Sequence, residues 1–129
     1  MRPGPVVLAA LREALPGASV VSVVPDVDLR TYPMISIERD GGTRLPGAPG
    51  RLSHPVLKLT AVSADGPVAA EELYEEALDA LFDAAAQTSV PGTGALHSIR
   101  ETRGATQVPS KYPDTWAVEG QIGITIRTR

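Results

Sequence analysis

The stretch Trp116-Ala117-Val118-Glu119-Gly120-Gln121-Ile122-Gly123-Ile124-Thr125-Ile126-Arg127 decides the fold class. Trp116, Val118, Gly120, Ile122, Ile124 and Ile126 fall on one side of an unbroken two-residue alternation; Ala117, Glu119, Gln121, Gly123, Thr125 and Arg127 fall on the other. A period of two marks a β-strand with one face in a core. At about 3.3 Å per residue the strand spans roughly 40 Å, against a radius of gyration of about 14 Å for a compact chain of this length. Such a strand crosses the whole body. It is either flanked by its own sheet or completed in part by another molecule, and the second option points to assembly rather than catalysis.

Working outward, Leu73, Tyr74, Ala77, Leu78, Leu81, Phe82 and Ala85 recur at helical spacing. Ser63-Ala64-Asp65-Gly66-Pro67 offers this helix a cap and a proline start, and it is expected to end near Thr88, before Pro91-Gly92-Thr93-Gly94. A first helix is expected over Pro5–Leu15, with Val7, Leu8, Leu11 and Leu15 as its apolar stripe and Pro16-Gly17 as its stop. Further strands are expected over Ser19–Val24, from Met34 to the turn signal Asp40-Gly41-Gly42, over Pro55–Ser63 and over Leu96–Arg103. Gly41–His54, rich in Pro and Gly, and Gly104–Asp114 read as long loops. The order α-β-β-β-α-β-β predicts an α+β fold with two helices on one side of a largely antiparallel sheet. Leu73, Ala77, Leu78, Leu81 and Phe82 are expected to pack against Trp116, Val118, Ile122, Ile124 and Ile126 or their neighbouring strands.

The chain has 129 residues and no cysteine, which suits one domain with a real core and excludes disulfides and thiolate metal sites. Met1–Leu15 contains Arg2, Arg12 and Glu13 and no long apolar run, so it reads as neither a signal peptide nor a membrane span. A net charge of −3 and an aromatic content of 4% argue against broad nucleic-acid binding, which needs surplus cations and stacking platforms.

Catalytic chemistry is not visible. His54 and His97 have no third ligand or carboxylate at a recognisable spacing. Ser53 and Ser110 lack the context of a nucleophile elbow. Pro46-Gly47-Ala48-Pro49-Gly50 and Pro91-Gly92-Thr93-Gly94 lack the lysine of a phosphate cradle. No catalytic, cofactor-binding or metal-binding residue is assigned.

Charge is segregated instead. Glu71, Glu72, Glu75, Glu76, Asp79 and Asp83 carry no interleaved Lys or Arg, and like charges four residues apart on a helix repel. Arg39, Arg44 and Arg51 lie in or beside the first long loop, and Arg100, Arg103 and Lys111 in or beside the second. An acidic helix and basic loops on one chain can meet head to tail, which is how closed rings form. The candidate interface residues are Arg44, Arg51, Glu72, Glu75, Glu76, Asp79, Arg103 and Lys111.

The whole pattern resembles the tail terminator (tail-completion) proteins of long-tailed bacteriophages. The resemblance rests on an N-terminal helix followed by Tyr32-Pro33-Met34-Ile35-Ser36-Ile37-Glu38-Arg39-Asp40-Gly41-Gly42, then Pro55-Val56-Leu57-Lys58-Leu59-Thr60-Ala61-Val62-Ser63 leading into Asp65-Gly66-Pro67-Val68-Ala69-Ala70-Glu71-Glu72-Leu73, and finally Tyr112-Pro113-Asp114-Thr115-Trp116 before the long last strand. It implies one tail-terminator-like domain over residues 1–129, a structural virion protein without enzymatic activity or cofactor. Such a protein forms a homo-hexameric ring that caps the tail-tube protein, stops tube polymerisation and docks the head-completion or connector protein. It would sit at the head-proximal end of the virion tail after assembly in the host cytoplasm, with no membrane partner and with DNA only passing through the ring lumen. Another head–tail connector or a tail-tube subunit, and a small ferredoxin-like enzyme, are the alternative readings.

Overall fold

Trp116–Arg127 forms a strand, and it lies inside the sheet rather than at its edge. The structure, a computed structural model, describes residues 3–22, 32–44, 52–86, 95–110 and 112–127. The elements are α1 (Pro3–Ala14), β1 (Ser19–Val21), β2 (Met34–Arg44), β3 (Leu52–Ser63), α2 (Pro67–Ala86), β4 (Ala95–Val108) and β5 (Trp116–Arg127). They form an α+β fold whose five strands take the order β1-β2-β3-β5-β4. β1 runs parallel to β2, and every other pair is antiparallel.

β5 pairs with β3 from Ser63↔Trp116 to Leu52↔Arg127, and with β4 from Val108↔Ala117 to Ala95↔Arg127. Its length is therefore matched by its own sheet, and completion by another molecule is not needed. The reason is that its two neighbours, β3 and β4, are at least as long, at 12 and 14 residues. The long outer edge belongs to β4.

Two glycine-based boundaries shift. Asp40-Gly41-Gly42 does not end β2. The register slips between Arg39 and Gly42, Gly41 has φ +114°, and pairing resumes as far as Arg44↔Ser53. A glycine that signals a turn in the sequence can equally absorb a bulge. β3 accordingly starts at Leu52, and only residues 45–51 of the expected Gly41–His54 loop lie outside both strands and outside the described residues. β4 likewise continues through Gly104 to Val108, slipping register at three places.

Both helices cover one face of the sheet. Leu57, Leu59, Ile122 and Ile124 are fully or almost fully buried there against Leu11 of α1 and Tyr74, Ala77 and Leu81 of α2. Gly66, at φ +120°, accepts the Ala70 amide at 3.2 Å, and Pro67 follows as the first helical residue. Arg12 ties α1 to β1 by donating from Nε and Nη2 to the Val20 carbonyl at 3.2 and 3.0 Å. The other face has a smaller cluster, Met34, Val62 and Ala117, packed by Tyr32, Val108 and Tyr112.

Two expected core residues are not in it. Phe82 is 43% exposed, because it falls about 100° round α2 from Leu81 and onto the side of Asp79. Trp116 is 39% exposed. The start of α2 lies over Val118, and Trp116 is two residues beyond that cover. Ile126 lies in β5, opposite Ser53 and Leu96, and its side chain is outside the described residues.

Leu81 is fully buried at the centre of this packing. Leu81→Ala should lower unfolding free energy by about 2–5 kcal/mol, measured as a shift in the denaturation midpoint at unchanged slope. A variant melting with the parent would show that this face of α2 is not the buried one.

Candidate assembly surface

α2 buries Ala70, Leu73, Tyr74, Ala77, Leu78 and Leu81, which turns Glu71, Glu72, Glu75, Glu76, Asp79 and Asp83 to solvent. Among the described residues no ion pair reaches these six carboxylates. Glu72, Glu75, Glu76 and Asp79, four of the expected interface residues, line one shallow hollow with Val68 and Glu71. Helical periodicity alone brings them together.

The expected basic residues are placed differently. Arg103 lies on β4 and donates from Nη2 to Glu119 Oε1 of β5 at 2.6 Å. Lys58 and Glu38 form a second ion pair at 3.2 Å between β3 and β2. The hydrogen bond to Glu38, with the charges of Glu38, Glu119 and Asp40, raises the Lys58 pKa above its ordinary value. Gln121 extends the same polar belt, donating to Asp40 Oδ2 at 2.7 Å and accepting from Thr102 Oγ1 at 3.0 Å. Charge alternates across β2, β3, β5 and β4 on the face away from the helices, so Arg103 is compensated within its own chain. Arg44 closes β2, with its backbone opposite Ser53. The side chain of Arg44, and Arg51 and Lys111 entirely, fall outside the described residues.

His54 pairs with Thr43 in the β2–β3 ladder, and His97 lies in β4. Among the described residues no group of three or more His, Asp or Glu is placed to hold a metal ion, and no helix is long and apolar enough to cross a membrane.

Sequence reasoning missed one contact. Tyr74 is fully buried, and its hydroxyl donates to Glu101 Oε2 of β4 at 3.0 Å. Its ring rests on Gly120 of β5, where a Cβ would run into the phenol oxygen and the ring. Burial first, and then the Glu101 hydrogen bond, push the Tyr74 pKa well above the ordinary tyrosine value. A glycine inside an otherwise apolar strand row is the one signal in the sequence that marks such a close approach.

Against known proteins, the family model for "phage tail termination protein" matches residues 1–129. The chain belongs to the phage tail termination protein family. Members of this family are structural proteins of the phage tail. The chain is 46% identical to the Gene 22 protein of Mycobacterium phage D29 over 125 residues, covering 95% of this chain and 90% of that relative. It is 47% identical to the Gene 22 protein of Mycobacterium phage L5 over 113 residues, covering 88% and 81%. Among solved structures, a chain of the virion of a native gene transfer agent particle superposes with a TM-score of 0.62 at 16% identity, over 98% of this chain and 95% of that one. At that identity the match concerns the fold.

The Tyr74 seat should be sensitive in two distinct ways. Gly120→Ala should destabilise by about 1–3 kcal/mol through the clash, and Tyr74→Phe by about 1 kcal/mol through the lost hydrogen bond, both read from denaturant titrations. Because the folded-state pKa of Tyr74 is raised from 10.0, its contribution is complete below that pH and is lost as pH rises above it, where the unfolded chain ionises first. Tyr74→Phe should remove that share of the alkaline loss of stability.

Proposed function

We propose that this protein is a structural, non-catalytic virion component that forms a closed homomeric ring, with six subunits as the expected number, on the head-proximal end of the tail tube. In this reading the ring halts polymerisation of the tube protein and presents a surface to the head-completion or connector protein, while DNA passes through the lumen. Assembly takes place in the host cytoplasm. The observation that carries the reading is the family match across the full chain, supported by a fold shared with a chain of a virion particle. Neighbouring subunits meet through the acidic face of α2 and the arginines Arg44 and Arg51 of the next copy, because guanidinium groups pair bidentately with carboxylates. Arg103 and Lys111 are secondary candidates, and Arg103 must first leave Glu119.

The long β2–β3 hairpin favours a second reading, a tube subunit that stacks rings. Incubating the protein with growing tail tubes separates the two. A terminator shortens the tube-length distribution and caps one end, whereas a tube subunit lengthens tubes or polymerises alone. The Arg44→Glu, Arg51→Glu double variant should melt with the parent and lose capping, with partial recovery when Glu75 and Asp79 are changed to Lys. Tubes that grow unchecked with the parent protein present would overturn the terminator reading.

A further inference from the structure

The exposed side of α2 is not uniformly acidic. Val68, Glu72, Glu75, Asp79 and Phe82 follow one another at steps of four and three residues, so they form one stripe. Its ends are apolar. Val68 is 67% and Phe82 43% exposed, and they are two of the three large hydrophobic side chains left exposed among the described residues. They are fourteen helical steps apart, about 21 Å at 1.5 Å per residue. Val68 also opens a cleft of about 260 Å³ between the start of α2 and the far end of β4, walled by Pro67, Glu71, Ala105 and Gln107 with Val118 at its floor. Val68 and Glu71 are shared between that cleft and the acidic hollow, so the two are one continuous surface.

We propose that Val68 and Phe82 are the anchors of the contact between subunits and that the carboxylates between them set its orientation. The occupant is a second copy of this chain. This deepens the ring reading given above and rests on it. Exposed ion pairs contribute little to affinity, whereas apolar area removed from water contributes in proportion to the area buried, and Val68 and Phe82 are the apolar groups this stripe offers. A contact made of the carboxylates alone would be weak and lost in salt. The partner follows from charge. α2 holds six of the fifteen acidic residues and none of the twelve basic ones, which leaves the rest of the chain with a surplus of three positive charges.

The test is sedimentation velocity of the parent, Val68→Ser, Phe82→Ser, their double variant, and a Glu75→Gln, Asp79→Asn variant. Each is run alone and with cognate tail tubes at about 0.15 M and about 1 M salt, where the Debye length falls from about 8 to about 3 Å. The expected result is that each anchor substitution lowers the association constant for assembly at least about tenfold at both salt concentrations. The charge-neutralised variant should differ from the parent only at low salt. Val68→Ser, at a mostly exposed position, should melt with the parent and so excludes misfolding as the cause. If the parent assembles and both anchor variants assemble equally well, the inference is overturned and the ring reading stands. If the parent stays monomeric with and without tubes, both are overturned.

Discussion

The position of α2 on the sheet depends on a missing side chain. Gly120 leaves a gap in the apolar row of β5, and the Tyr74 ring fills it. The hydroxyl then reaches Glu101 on β4, so one residue fixes a helix against two strands. A buried phenol without that acceptor would cost free energy, and an alanine at position 120 would lift the helix off Ile122 and Ile124. The outward face of α2 is set by the same contact. With Tyr74 and Leu81 turned down, Glu75 and Asp79 have only one direction to point.

The two faces of the sheet divide the work. Under the helices lies an aliphatic core that holds the chain together. On the opposite face, Glu38 with Lys58 and Arg103 with Glu119 neutralise one another across four strands. Pairs this exposed add little stability, but they leave that surface balanced and without a strong preference for either sign of partner. The carboxylates of α2 have no such compensation. Their mutual repulsion weakens the helix slightly, a cost that burial of Leu73, Ala77, Leu78 and Leu81 outweighs many times over.

The sequence carried the element order and the helix-facing row of β5 from Val118 to Ile124, because period two and period 3.6 are direct images of strand and helix geometry. It misplaced the ends of β2 and β4, since Gly41 and Gly104 look the same whether they turn a chain or absorb a bulge. Phe82 and Trp116 were expected in the core from helical spacing and two-residue alternation; one lies at the margin of the apolar stripe and the other beyond the start of α2, and spacing alone marks neither limit. The acidic half of the candidate surface was legible from spacing within one helix. How Arg103 is neutralised was not, because Glu119 is sixteen residues away and reaches it only through the β4–β5 register.

The length of β5 drew attention to assembly, yet the strand itself is closed to partners on both sides. The remaining edges are poor templates. β1 offers three residues. β4 slips register between Leu96 and Ser98, between Glu101 and Arg103 and between Arg103 and Thr106, and irregular, charged edges of this kind resist continuous strand addition. In the proposed ring, which joins a limited number of copies, blocked edges are an advantage, since edge-to-edge pairing has no natural end point. In that proposal a helix face with two apolar side chains and one sign of charge sets the orientation of the neighbour. Among the described elements α2 presents such a face, so a bounded assembly built from this fold is best served by the helix, not the sheet.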